Sequence, residues 1–157
     1  MNNVLFVWGD ATPLAAELSK PIKRVSVEFG IPNVGPNSLT LWRSDGTGLR
    51  LHTEMHDVAL KREVGVLNFE HVSALRPGET LVDIASFQDR IVVSKLLIHE
   101  SGTSAESGVV LKASSGEEIV IVAGAYPYSL AILGVASIPH IFEPEYPIDL
   151  YTRVPLT

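Results

Sequence analysis

The chain has 157 residues, a net charge of −6 and no cysteine, so disulfides, zinc–thiolate sites, iron–sulfur clusters and thiol nucleophiles are excluded. An apolar share of 46% argues against disorder and for one packed domain over residues 1–157 that needs no metal or disulfide to hold it. The charge is uneven: residues 1–78 carry 8 Lys/Arg and 8 Asp/Glu, whereas residues 79–157 carry 4 against 10. That is a poor footprint for nucleic acid or an anionic membrane surface, and a compatible one for a basic protein partner.

Met1-Asn2-Asn3 lacks the positive region of a signal peptide, and the apolar run from Val4 to Trp8 is too short for a signal core. No run approaches the roughly 18 apolar residues of a membrane span, so a cytoplasmic protein is expected. Asn3 to Trp8 reads as a short strand. Thr12-Pro13 reads as a helix start, with Thr as N-cap and Pro at the first helical position. Leu14 and Leu18 then share a helix face, and Pro21 stops the helix. Val25, Val27 and Phe29 alternate with polar residues, the period of a half-buried strand. Residues 30–37 carry Pro32 and Pro36 and form a loop.

Leu39 to Met55 reads as a hairpin around Ser44-Asp45-Gly46-Thr47-Gly48, and Val58 to Val66 as another alternating row. Arg76-Pro77-Gly78-Glu79 is a turn, and Leu81 to Phe87 is ambiguous between strand and short helix. Arg90 to His99 is a long β-prone strand, and Glu100 to Ser107, polar and small, is a loop. The strongest signal is Gly108 to Ala123. Val109-Val110-Leu111 and Ile119-Val120-Ile121-Val122 flank Ser114-Ser115-Gly116-Glu117, so the segment is a hairpin. Its second arm is apolar on both faces, which places it at the centre of a sheet. Leu41, Ser44, Gly46, Leu49 and Leu51 overlay on Leu111, Ser114, Gly116, Ile119 and Ile121. This is either an internal repeat or the generic form of a hairpin; five matches of low complexity favour the second. Leu130 to Val135 is one more strand. From 138 to 157, Pro139, Pro144, Pro147 and Pro155 exclude helix and sheet interior, so this Pro-rich segment runs extended across the body. The sum is an all-β or β-rich α+β fold: an antiparallel sandwich or barrel of about eight to ten short strands with one or two short helices.

No segment specifies a chemistry. There is no G-x-S-x-G elbow and no glycine loop for phosphate. A Ser/His/acid triad converges in space rather than in sequence, so the chain leaves it open. His52, Glu54 and His56 point one way if the segment is a strand, and two imidazoles with a carboxylate are zinc or iron ligands. Alternate strand positions stand about 7 Å apart, so at most two could share a metal, helped by His71 or His99. The plainer reading has Arg50, His52, Glu54 and His56 facing solvent while Leu49, Leu51, Thr53 and Met55 face the core. The tail from Ile141 to Tyr151 interleaves aromatics with Glu143, Glu145 and Asp149, and its prolines lower the entropy cost of binding. Its plainer reading has Phe142, Tyr146 and Tyr151 sealing the sheet while the acids meet water. Glu117 and Glu118 sit in the strongest hairpin's turn.

These features favour a non-catalytic binding module, an inhibitor of the immunity or antitoxin type, that uses Glu117, Glu118, Glu143, Glu145, Tyr146, Asp149 and Tyr151 against a basic protein without a cofactor. The alternative is a small β-barrel metal-dependent enzyme or sensor with His52 and His56 in its pocket. A structural homo-oligomer subunit is compatible with exposed sheet edges.

Overall fold

The structure is a computed structural model that describes residues 4–6, 11–29, 36–59, 62–84, 87–100, 102–134 and 143–156. The fold is all-β. After β1 (Val4–Phe6) and one short helix, α1 (Ala11–Leu18), come β2 (Arg24–Glu28), β3 (Ser38–Trp42), β4 (Gly48–Ala59), β5 (Arg62–Val72) and β6 (Glu79–Asp83). Then follow β7 (Ile91–Glu100), β8 (Thr103–Ala113), β9 (Glu118–Ala123), β10 (Leu130–Leu133), a single 3-10 turn (Ile148–Leu150) and β11 (Thr152–Pro155).

The strands form two antiparallel sheets that follow the same path. One has the order β5-β4-β3-β2-β6 and the other β10-β9-β8-β7-β11, with β1 added in parallel beside the start of β8. Each is a four-stranded meander whose fifth strand returns to the free side of the first. The two hairpins noted in the sequence occupy equivalent places. Leu41 opposes Leu49 as Leu111 opposes Ile119, and Leu39 opposes Leu51 as Val109 opposes Ile121. Their turns close with the same bonds. Arg43 N donates to Thr47 O and Gly46 N to Arg43 O; Ala113 N donates to Glu117 O and Gly116 N to Ala113 O. Gly46 and Gly116 both have φ near +90° (87° and 93°), where only glycine is unstrained. The generic reading of these five matches is therefore too weak, because the likeness extends to turn geometry and strand path.

One core lies between the sheets. Alternate residues of both turn into it: Val25, Val27, Leu39, Leu41, Leu49 and Leu51 from one, and Ile91, Val93, Val109, Leu111, Ile119, Ile121 and Ile132 from the other. Leu18 of α1 is fully buried against the same cluster, the helix's amphipathic contribution. Residues of opposite parity, Val110, Val120, Val122 and Ala131, join Val64, Val66, Leu96 and Tyr151 in a second cluster. Being covered on both faces explains why β9 has no polar residue between Ile119 and Ala123.

Several expectations are corrected. Val58 to Val66 is not one row, because β4 ends at Ala59 and β5 begins at Arg62, antiparallel to it. That reversal carries neither Gly nor Pro, so no turn signal marked it. Thr103 to Ser107 is the start of β8, not a loop. Gly102 (φ 74°) makes the turn, and the polar side chains that follow find partners inside. Lys95 Nζ lies 2.7 Å from Glu106 Oε1, and Ser107 Oγ donates to Gly65 O at 2.6 Å. The register passes from Leu96 opposite Gly108 to Leu97 opposite Glu106 and skips Ser107, so this segment itself carries a bulge. Leu81 resolves into a strand, β6, and the tail contributes β11 at a sheet edge, one of the few sheet positions a proline tolerates. The described strands number eleven, more than expected, and β4 with 12 residues and β5 with 11 are not short. The helix begins at Ala11, so Thr12 lies inside it rather than capping it. The Leu14 side chain and residues 138–142, including Phe142, lie outside the described residues.

Arg50 is also corrected. It lies on the outer face of β4 as expected, yet it is only 4% exposed. The segment 73–78 carries the chain between the two edges of its sheet and closes over it. Arg76 on that segment reaches Glu70 (3.2 Å) on one side and Glu28 (3.7 Å) on the other. Beneath it, Arg50 pairs with Glu70 (3.1 Å) and Glu79 (3.6 Å), and Glu79 Oε1 accepts from Ser26 Oγ and Thr40 Oγ1. A buried guanidinium needs such partners, because an unpaired charge there costs several kcal/mol, about 3–5.

Candidate acidic and aromatic surface

The tail is held to the body by backbone bonds. Pro144 bridges Gly124, Ala125 N donates to Glu143 O at 2.8 Å, and Glu145 N donates to Ala123 O at 2.9 Å. This line runs past the end of β9 and beside the β9–β10 loop. Glu145 then turns inward. Its two carboxylate oxygens accept from Gly65 N at 3.0 and 3.2 Å. Gly65 lies on β5, the edge of its sheet, and its carbonyl takes the Ser107 hydroxyl. Two side chains thus close the unpaired edge where the sheets meet, the protection an edge strand needs. The approach is close: a Cβ on Gly65 would stand 2.5 Å from Ala123 Cβ.

Tyr146 and Tyr151 also turn inward. Their rings meet edge to face at 6.3 Å and 77°, a favoured aromatic geometry. Tyr151 is 7% exposed within the second cluster, and its hydroxyl accepts from Tyr146 N at 3.3 Å. Burial pushes the Tyr151 phenol well above the ordinary tyrosine value. The sealing role foreseen for these two rings is the arrangement observed.

The residues expected to bind a partner therefore separate into groups. Glu143, Glu145, Tyr146, Asp149 and Tyr151 share the tail, but only Glu143 and Asp149 are exposed. Glu117 and Glu118 lie at the opposite end of β9, about 17 Å away at strand rise. Glu118 is engaged by Arg153, both nitrogens reaching both oxygens at 3.1 Å, and this hydrogen-bonded pairing holds its carboxyl below the usual range. Glu117 is exposed.

Tyr126 and Tyr128 stand in the sequence only as a bend ahead of the Leu130 strand, with no binding role expected of them. They are 54% and 61% exposed on the β9–β10 loop, next to the Ala125–Glu143 bond. The loop is built rather than loose. Gly124 N donates to Ser129 O, Ser129 N and Oγ both donate to Tyr126 O, and Thr53 Oγ1 donates to Ser129 O. Tyr128 has φ 64°, the left-handed region rarely used by tyrosine. The available signal was the Tyr126-Pro127-Tyr128 bend itself. Leu150 (57%) and Ile148 (41%) add apolar exposure around Asp149.

His52, Glu54 and His56 do share one face of β4. The Glu54 carboxylate lies between the imidazoles, 3.9 Å from His52 Nε2 and 3.8 Å from His56 Nε2, in half-exposed surroundings. Among the described residues no group of three or more His, Asp or Glu could hold a metal ion. His99 belongs to the other sheet, with Nδ1 2.6 Å from Ser104 Oγ. No helix among the described residues is long and apolar enough to cross a membrane. No protein-family model, curated protein or solved structure matches the chain.

Proposed function

We propose that this chain is a non-catalytic, cytoplasmic protein-binding module that blocks a basic protein partner, in the manner of an immunity or antitoxin protein. The observation that carries this reading is the pair of exposed tyrosines on a braced loop, bordered by the exposed acid Glu143. Tyrosine offers area with few rotatable bonds and a polar tip, and aromatic residues of this kind dominate binding energies. A loop already fixed by four hydrogen bonds pays little further ordering cost on binding. The surplus of acids over bases in residues 79–157 selects a basic partner and speeds encounter. Glu143, Asp149, Tyr126 and Tyr128 form the contact; Glu145, Tyr146 and Tyr151 shape it from beneath.

The test uses a basic partner isolated with the chain from its host and re-purified. Tyr126→Ala with Tyr128→Ala should weaken its affinity by at least about tenfold, the effect of losing a modest hot spot. Glu143→Lys with Asp149→Lys should slow association at low salt and lose that effect at high salt. Unchanged affinity in both double variants would remove the proposal.

A further inference from the structure

A second surface lies on the other sheet, where the cations of the first half of the chain collect. A cleft of 280 Å³ is lined by Lys23, Arg24, Trp42 and Arg43, with Leu75 and Leu81 on its apolar side and backbone of the Ser44–Gly46 turn at its rim. Among the described residues that line it there is no carboxylate. The fold brings these residues together for simple reasons. Arg24 and Trp42 are cross-strand partners on β2 and β3, so they share the outer face. Trp42 opposes Gly48, where a Cβ would stand 2.9 Å from the indole Cε3, so the ring lies down across β4. Its Nε1 donates to Ser26 Oγ at 2.7 Å and fixes the ring. The segment that crosses the sheet supplies Leu75, 46% exposed, and β6 supplies Leu81, 42% exposed.

The three cations differ in how they are used. Arg43 is spent within the fold, with Nη2 on the Glu17 carboxylate at 3.1 Å and on the Glu17 carbonyl. Lys23 and Arg24 have no ion-pair partner among the described residues. Arg24 stands between Trp42 on β3 and Asp83 on β6 in the strand register; with Lys23 it puts two cations beside an indole and two exposed leucines, a site with one charged side and one apolar side. We infer that this cleft binds a small organic anion with one ring, an aryl carboxylate or its like, with the ring against Trp42, Leu75 and Leu81 and the anion on Lys23 and Arg24. The volume sets the size: it lies just under the roughly 300–1,000 Å³ typical of ligand pockets. That admits one ring and a short acidic arm. The charge sets the sign, since the described lining carries Lys23, Arg24 and Arg43 and no acid, which disfavours a cation and leaves a neutral ring with the apolar contribution alone.

The experiment titrates phenylacetate, and separately its neutral isostere phenylacetamide, into the full chain while following the Trp42 indole N–H by NMR, assigned through Trp42→Phe. Phenylacetate should move that signal saturably, and phenylacetamide should bind about tenfold more weakly, as expected for loss of a charge-assisted contact. Lys23→Gln with Arg24→Gln should bring phenylacetate down to the affinity of phenylacetamide and leave phenylacetamide unchanged. Retained phenylacetamide binding shows that the double variant is folded. Equal affinities for the two probes, an unchanged phenylacetate affinity in the double variant, or no saturable shift up to about 10 mM, beyond the millimolar range in which such small ligands bind, would overturn the inference.

Discussion

Glu145→Ala tests whether the tail is part of the fold or an ornament on it. The carboxylate is the acceptor of the Gly65 N–H at 3.0 Å, and Gly65 is buried. Deleting the acceptor leaves a buried amide on a sheet edge with no partner, which costs about 1–3 kcal/mol. At about 2–4 °C per kcal/mol for a chain of this length, a cost near the middle lowers Tm by roughly 4–8 °C. Glu145→Gln keeps an acceptor but loses its charge, and charge-assisted bonds are about twice as strong as neutral ones; it should fall about midway. Ser107→Ala removes the hydroxyl that serves the same residue's carbonyl, and its effect should not add simply to that of Glu145→Ala, because the two meet at Gly65. Thermal unfolding followed by circular dichroism, with urea titration for the free energies, reads all of these. A Tm within about 1 °C of the parent for Glu145→Ala, well below the shift expected for one lost charged bond, would refute the reasoning. The tail would then merely rest on the sheets.

Two further outcomes follow from the geometry. Gly46→Ala and Gly116→Ala place a Cβ in open space at nearly the same positive φ, so each should cost about 1 kcal/mol from backbone strain alone; urea midpoints that differ widely would show that the two turns are not equivalent. Stability should also fall at both ends of the pH range. Lys20 bonded to Glu17, and Arg153 bonded to Glu118, hold those carboxyls below the ordinary value of 4.5. Their contribution is present above that value and is lost as pH falls through the lower folded values. Tyr151 works in the opposite sense. Its phenol is raised above 10.0 by burial, so its stabilisation is complete below pH 10 and declines as pH rises from there toward the folded value. Urea unfolding across pH checks both limbs: Arg153→Gln should shrink the acid limb, and Tyr151→Phe should flatten the alkaline one.

The sequence by itself determined that the chain is β-rich, all-β or α+β with one or two short helices, because β-branched residues alternate or cluster in runs of strand length. It placed the Gly108–Ala123 hairpin at a sheet centre, because a strand buried on both faces must be apolar on both. It also located the two glycine turns, since positive φ at Gly46 and Gly116 leaves a residue-level mark. Only the tertiary structure decided what long-range contacts control. A polar stretch such as Thr103–Ser107 becomes a strand because Lys95 and Gly65, remote or across a ladder, satisfy its side chains. Arg50 is buried because a crossing segment covers it, and Glu145 turns inward because Gly65 N–H has no strand beside it. Local pattern reports which face of an element a residue occupies; whether that face meets water depends on what the rest of the chain lays over it. For that reason the exposed Tyr126 and Tyr128, and the cleft beside Trp42, became visible only in three dimensions.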